Sequence, residues 1–134
     1  MADPLQVEVV SAEALVWSGE AESVIAKTVD GDIGILPGHS PVLALLVPGG
    51  VEIVCPDGRS REIVAVDGGF ISVSQDRVSI LSEYARMAQE LSVADAEREL
   101  ADARAKLDAG DESEETKQHL HRATAQLRAA QKAR

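Results

Sequence analysis

The sequence has very few cysteine and aromatic residues. Its only cysteine is Cys55, and its aromatic side chains are one tryptophan, one tyrosine and one phenylalanine. A single cysteine excludes an intramolecular disulfide and a cysteine-rich metal site. So few rings make base stacking on a nucleic acid a poor expectation. The formal net charge of −10 also opposes phosphate backbones. We therefore expect no nucleic-acid partner.

Long hydrophobic runs are missing as well. The longest, PVLALLVP at residues 41–48, is far shorter than the roughly 18 apolar residues that span a bilayer. The opening MADPLQVEVV lacks the basic start and apolar run of a signal peptide. We expect a soluble chain without a leader segment, which reaches a membrane only through a partner.

Residues 5–81 have the pattern of short β-strands. In LQVEVV the apolar Leu5, Val7 and Val9 alternate with polar residues, which places them on one face. Six further segments rich in β-branched residues follow, separated by turn sequences such as VDGD, VPGG and SQDR. Strands at this spacing predict an antiparallel β-sandwich or barrel.

The apolar period changes to that of a helix after about residue 88. Ser92 and Ser113 are predicted helix N-caps, and Gly110 is predicted to end the first helix. Residues 82–90 are the expected hinge between the two halves. Apolar residues at steps of three and four predict two antiparallel helices joined along a narrow seam: Val93, Ala96, Leu100, Ala103 and Leu107 in the first helix, and Leu120, Ala123, Leu127 and Ala130 in the second.

The predicted domains are therefore a β-sandwich at residues 1–87 and a helical hairpin at residues 88–134. Few large side chains line the hairpin seam, so contact with another surface is expected to decide where the hairpin lies. Residues 116–134 carry five basic residues and no acidic ones. Two interpretations stay open: this segment pairs only with the acidic first helix, or it also meets an acidic partner surface.

The glycine-rich stretch GDIGILPGHSP, at residues 31–41, invites a phosphate-binding or nucleophile interpretation. It lacks the lysine of a phosphate loop, and Pro37 removes a backbone donor. A triad of Ser40, His39 and Asp67 has no other support. His119 and His121 are two residues apart, so on a helix they would not share a metal. We expect no catalytic or metal site, which favours a binding or regulatory subunit.

Two glycine motifs and their order along the chain resemble one known family. GDIGILPGHSP is followed by VDGGFISV at residues 66–73 and then by the alanine-rich hairpin. The segment VVSAEALVWSGEAESV at residues 9–24 is similar too. Together these features span essentially the whole chain and resemble the epsilon subunit of bacterial F-type ATP synthase. The resemblance implies a ten-stranded β-sandwich followed by two antiparallel helices.

The resemblance also implies a non-catalytic rotor subunit and its contacts. The sandwich would bind the gamma subunit and rest on the c ring, and the hairpin would restrain ATP hydrolysis. Asp32, assisted by Asp30, matches the position that approaches the c ring, and His39 matches a position near gamma. Arg122 and Arg128 would face an acidic segment of a beta subunit, beside the alpha subunits of the catalytic head.

Some members of this family bind ATP on the hairpin through the motif Ile/Leu-Asp-x-x-Arg-Ala. The matching stretch here is LSVADA, where Ser92 replaces the aspartate and Asp95 replaces the arginine. A carboxylate in place of a guanidinium repels phosphate, so we expect no bound nucleotide and no cofactor. The motif residues that are expected only to shape the backbone are Gly31, Gly34, Pro37, Gly38, Pro41, Gly68 and Gly69.

Two other functions compete with the rotor subunit. One is a stand-alone β-sandwich that binds a small ligand or hydrolyses it, and the other is a coiled-coil adaptor that oligomerises through its hairpin. The resemblance places the chain at the cytoplasmic face of a bacterial membrane, as a peripheral subunit. A chloroplast-encoded copy is the remaining alternative for location.

Overall fold

The computed structural model describes residues 3–133 and contains ten strands followed by two α-helices. Three residues lie outside the described range: Met1, Ala2 and Arg134. They belong to the predicted domain ranges, and Arg134 also belongs to the basic segment. The strands are β1 (Leu5–Val10), β2 (Leu15–Ala21), β3 (Ser23–Thr28), β4 (Gly31–Ile35), β5 (Val42–Leu45), β6 (Gly49–Val54), β7 (Arg61–Val66), β8 (Phe70–Ser74), β9 (Arg77–Leu81) and β10 (Ala85–Met87).

The strands form two five-stranded sheets. Sheet A has the order β2-β1-β9-β8-β5, and sheet B has the order β10-β7-β6-β3-β4. All neighbouring strands are antiparallel except β1 and β9, which run parallel with Val7 opposite Val78. The core lies between the sheets, where alternate residues such as Leu5, Val24 and Ile53 are fully buried. The predicted sandwich is confirmed.

The predicted hinge over residues 82–90 is wrong for most of its length. Ala85–Met87 form β10, which pairs with β7, and Ala85 and Met87 point into the core. A short 3₁₀ helix, Ala88–Glu90, follows and packs against sheet B. Only Leu91 and Ser92, both with extended backbone, separate this segment from the first α-helix. The chain therefore stays attached to the sandwich almost to the start of the hairpin.

The hairpin consists of α1 (Val93–Asp108) and α2 (Glu114–Lys132). Ser92 and Ser113 cap the two N-termini, as predicted, by accepting hydrogen bonds from the backbone amides three residues on. Gly110 has φ +95° and follows the C-cap of α1, where a left-handed residue closes the last turn. In the described part of the chain, neither helix is long and apolar enough to cross a bilayer.

Candidate functional site

One row of apolar side chains crosses the outer face of all five strands of sheet A. Leu45 lies opposite Phe70, and Phe70 lies opposite Leu81. Leu81 is next to Val10 on β1, and Val10 is next to Leu15 on β2. Their shared register places these five side chains in line on the face that points away from the core. We call this set the apolar row.

The apolar row is exposed to solvent. Leu45, Phe70 and Leu81 are 48%, 45% and 46% exposed, and Leu15 is 57% exposed. The other outward positions on β8 and β9 are polar, including Ser72 and its partner Ser79. A contiguous row of exposed apolar side chains is a candidate surface for contact with another molecule. None of these residues was a candidate from the sequence, because each is one of many apolar residues in the strand pattern.

Asp30 and Asp32 lie at the turn that joins β3 to β4. Asp30 is in the turn and Asp32 is on β4, opposite Lys27, with both carboxylates exposed. The Thr28 hydroxyl organises the turn, since it donates to the Gly31 carbonyl oxygen at 2.7 Å and accepts from the Asp30 amide at 3.1 Å. The turn therefore presents two carboxylates to solvent on a defined backbone.

His39 lies at the other end of the sandwich, in the loop between β4 and β5. This loop is fixed to the β8–β9 turn, because the Gly38 amide donates to Asp76 Oδ1 at 2.7 Å. Gly38 has φ +86°, a backbone conformation that glycine adopts without strain. Since β5 runs from this loop towards Leu45, His39 and the turn at Asp30 occupy opposite ends of the molecule.

The hairpin packs on the outer face of sheet B through small side chains of α2. Ala125 and Ala129 are fully buried against Ile63 and Ala65 of β7. Gly50 of β6 lies beneath α2, so close that a Cβ added there would be 3.0 Å from the Ala129 Cα atom. The contact therefore depends on close approach of the backbones rather than on large apolar side chains.

Polar contacts fix the hairpin at the edge of this interface. Asp67, which follows β7, accepts from Arg122 Nε at 3.2 Å through Oδ2. Its Oδ1 atom accepts from the Ser82 hydroxyl at 2.9 Å and from the Tyr84 amide at 3.3 Å. The Arg122 guanidinium lies 5.4 Å from the centre of the Tyr84 ring. The Tyr84 hydroxyl in turn accepts from Gln126 Nε2 at 2.8 Å.

The C-terminal half of α2 makes further contacts with sheet B. Arg128 Nη1 donates to the Pro48 carbonyl oxygen at 2.7 Å, and Lys132 Nζ donates to the Gly50 carbonyl oxygen at 3.4 Å. The two arginines expected to face a beta subunit, Arg122 and Arg128, are thus both bonded to the sandwich here.

A hydrogen-bonded turn at Asp111 joins the two helices. Asp111 Oδ1 accepts from the Ser113 amide at 2.9 Å, and Oδ2 accepts from the Thr116 hydroxyl at 2.7 Å. Because these bonds favour the charged form, they lower the pKa of Asp111 to about 2. Across the seam, His119 Nε2 lies 2.6 Å from Glu99 Oε2. These contacts hold α1 and α2 together as one unit.

The residues considered for catalysis or metal binding do not assemble. His39 Nδ1 is 2.6 Å from the Ser40 carbonyl oxygen, while Asp67 bonds Ser82 and Arg122. Within residues 3–133 there is no cluster of His, Cys, Asp and Glu that could hold a metal ion. At the nucleotide motif, Ser92 caps α1 and the Asp95 carboxylate pairs with Arg98.

The second glycine motif allows two chain segments to cross. Gly68 and Gly69 have φ +126° and +101°. A Cβ added at Gly69 would lie 2.0 Å from the Leu81 carbonyl oxygen, so every residue other than glycine would clash there. Gly34, by contrast, lies within β4 and has no atom within 4 Å of such a Cβ. Glycine is therefore required at position 69 by the close Leu81 carbonyl, whereas position 34 has room for a side chain.

The fold and these surfaces define a class of protein: a β-sandwich subunit with a C-terminal helical hairpin docked on its outer face. A family model described as "ATP synthase, Delta/Epsilon chain, beta-sandwich domain" matches residues 4–88. The chain belongs to the ATP synthase epsilon chain family, as the resemblance predicted. It is an accessory chain of ATP synthase and is not catalytic by itself.

Curated relatives carry the similarity over the whole chain. The "ATP synthase epsilon chain" of Cutibacterium acnes is 44% identical over 135 residues, which cover 95% of this chain and 92% of that protein. The protein of the same name from Streptomyces coelicolor is 44% identical over 130 residues, covering 97% of this chain and 98% of that one.

Solved structures share the fold. A chain in the cryo-EM structure of Euglena gracilis mitochondrial ATP synthase, described as OSCP/F1/c-ring, has a TM-score of 0.77 at 20% identity, covering 99% of this chain and 82% of that chain. A chain in the central stalk/c-ring structure from Tetrahymena thermophila has a TM-score of 0.58 at 15% identity, covering 98% and 97%.

Proposed function

We propose that the chain is a central-stalk rotor subunit that binds gamma and the c ring, couples proton translocation to ATP synthesis and restrains ATP hydrolysis through its hairpin. The apolar row carries this proposal, because it is an exposed surface that another protein would cover. Membership of the epsilon chain family and the F1/c-ring and central-stalk assemblies that contain its structural neighbours support the same assignment.

The two ends of the sandwich are assigned to different partners. Asp32 and Asp30 are exposed at the β3–β4 turn, where they would meet polar loops of the c ring. His39, at the opposite end, would lie against gamma. Gamma would also cover the apolar row, which crosses the outer face of sheet A nearer to the Asp30 turn. The subunit would then be peripheral at the cytoplasmic face of a bacterial membrane, held there by the complex.

The hairpin, residues 88–134 of the proposed division, is assigned the regulatory role. Arg122 and Arg128 are its candidate contacts with an acidic segment of a beta subunit, next to alpha subunits. Both arginines bond the sandwich in the docked position. The proposed restraint of hydrolysis therefore requires the hairpin to leave sheet B.

ATP binding by the hairpin is not part of this proposal. Asp95 stands where the family's motif has an arginine, and Arg122 is already paired with Asp67. Calorimetry of the isolated chain with ATP should give no measurable heat of binding. Micromolar affinity would contradict this expectation.

The rotor assignment is tested by co-purification and by deletion. Pull-down of the tagged chain from detergent-solubilised membranes should recover gamma and c subunits. A chain ending at residue 87 should still assemble and support synthesis, while the ATP hydrolysis rate of the complex rises. Recovery of no ATP synthase subunit would reject the assignment and favour a stand-alone binding module. A stable homodimer held by the hairpin would favour a coiled-coil adaptor.

A further inference from the structure

We propose that Asp67 is the latch residue that holds the hairpin on the sandwich, by capturing Arg122 over the Tyr84 ring. The observation behind it is the arrangement of one sandwich carboxylate, one hairpin guanidinium and one ring at the edge of sheet B. We call these three residues the latch. A charge-specific contact thus adds to apolar packing in setting the docked position.

The sandwich half of the latch is organised by the sandwich alone. The Asp67 side chain is only 9% exposed, and Ser82 and the Tyr84 amide hold its Oδ1 atom. These groups come from the ends of β7 and β9 and the start of the segment leading to β10. Arg122 supplies the bond to Oδ2. A carboxylate held in advance costs little to order when the arginine arrives.

The apolar part of the interface is small, so polar contacts add to what holds the hairpin on the sandwich. Its buried side chains are Ala125 and Ala129 on α2 and Ala65, Ala88 and Ile63 on the sandwich side, with the partly buried Tyr84 and Leu91 packed against them. Burial of alanine side chains contributes little compared with leucine or phenylalanine. Among residues 3–133, Asp67–Arg122 is the one ion pair that joins the hairpin to the sandwich.

Loss of the ion pair therefore affects Asp67 and Arg122 differently. Arg122 is 38% exposed, whereas the Asp67 side chain is only 9% exposed while the hairpin is docked, so a docked hairpin without the arginine would leave that carboxylate poorly solvated and unpaired. Removing one partner of a poorly solvated pair costs more than removing a surface pair. Gln126 adds a neutral bond to the Tyr84 hydroxyl, which orients the ring beneath the guanidinium.

A regulatory consequence follows, and it rests on the proposed function. While Arg122 bonds Asp67, it is not available to an acidic surface of another subunit. The latch carboxylate and that surface then compete for the same side chain. The strength of the latch would set the fraction of time that the hairpin is free to restrain hydrolysis.

Hydrogen exchange of the isolated, full-length chain tests the latch directly. Asp67→Asn removes the charge and keeps the shape of the side chain, so α2 amides should exchange about tenfold faster, the factor expected for loss of one charge-assisted bond. Sheet amides should keep their protection. Arg122→Gln should give the same result from the hairpin side, and the double variant should be no faster than either single one.

Arg98→Gln is the matched control, since it removes an α1 cation that pairs with Asp95 and not with the sandwich. Unchanged α2 exchange in both Asp67→Asn and Arg122→Gln would overturn the latch, as would an equal effect of Arg98→Gln. The two experiments can also disagree. Tenfold faster α2 exchange in the latch variants, together with an ATP hydrolysis rate that does not change when the hairpin is deleted from the complex, would keep the latch and reject the proposed restraint. The two ideas therefore fail separately.

Discussion

Gly50 of the sandwich and Ala129 of the hairpin are in backbone contact. A Cβ at position 50 would meet the Ala129 Cα atom at 3.0 Å and Ile63 Cγ2 at 3.1 Å. Both neighbours are fixed, one in a helix and one in a strand, so neither can move aside at low cost. Glycine at this position thus allows the hairpin to lie flat on sheet B.

Gly50→Ala should loosen the hairpin without unfolding the sandwich. We expect a loss of roughly 1–3 kcal/mol in docking, the usual cost of overpacking. Hydrogen exchange of α2 measures it. Gly49→Ala is the adjacent control, because its Cβ would meet only Arg128 Cδ at an ordinary 3.8 Å. Equal protection of α2 in the two variants would show that the close contact does not matter.

Gly69→Ala should prevent stable folding of the sandwich. The new Cβ would overlap the Leu81 carbonyl oxygen, and φ is +101°. Together these should cost more than about 4 kcal/mol, in the range that marks a special backbone position. Urea denaturation followed by circular dichroism measures the change. Gly34→Ala, which meets no atom within 4 Å, should leave the midpoint almost unchanged; a similar loss in both variants would contradict this assignment.

Protonation of Asp111 should loosen the turn between the helices. Its pKa is lowered from 3.8 to about 2, so the stabilisation by the charged carboxylate is complete above pH 4 and is lost as pH falls through about 2. An NMR titration of the Ser113 amide should show this midpoint. In Asp111→Asn the titration should disappear, while Glu112→Gln should leave it in place. A midpoint near 4 for the unmodified chain would contradict the hydrogen-bond explanation.

Phe70→Glu should weaken assembly of the chain with its partner. A charge in the centre of the apolar row cannot be covered without losing its hydration. The affinity for gamma should therefore fall at least tenfold, a loss of more than about 1.4 kcal/mol of binding free energy, and less gamma should be recovered in pull-downs. Ala105→Glu, on the exposed face of α1 and away from the proposed contact surfaces, is the control. If both variants recover gamma equally well, the row is not the contact surface.

Asp32→Lys and His39→Glu should affect different partners, because the two residues lie at opposite ends of the sandwich. We expect the first variant to reduce coupling of proton flow to synthesis and the second to reduce binding to gamma. Proton pumping by membrane vesicles measures coupling, and pull-down measures gamma binding. Identical effects of both variants on both measurements would mean that residues 31–41 act only as a structural corner.

Alternation of apolar residues was enough to predict the sandwich, but not every strand. The pattern does not reveal β2, because Ser18, Gly19 and Glu20 interrupt its apolar residues. It does not reveal β4, because Gly31, Asp32 and Gly34 leave only two apolar residues in five positions. β10 was missed because three residues cannot show a period, and its Ala85 and Met87 carry no β-branched signal. Pairing with neighbouring strands stabilises all three of these strands, and the sequence of one strand does not show which strands it will pair with. The resemblance to a family supplied the count of ten.

The helical seam was predicted correctly, with Ala96, Leu100 and Ala103 of α1 buried. The second face of α2 was not predicted. It uses Arg122, Ala125 and Ala129, which are small or charged and therefore give no apolar period. Small side chains give close approach and charged ones give specificity, so a docking surface of this kind leaves little trace in hydropathy.

The parallel pairing of β1 with β9 fixes when the sandwich can be completed during synthesis. Val7 has no partner on its β9 side until Val78 has been made, so the β1–β2 hairpin carries an open edge while most of the chain is added. Open edges are sites of aggregation, and contacts so distant in sequence form slowly. A nascent chain arrested before residue 77 should therefore need chaperone protection, and one that has emerged beyond residue 87, with β10 also made, should not.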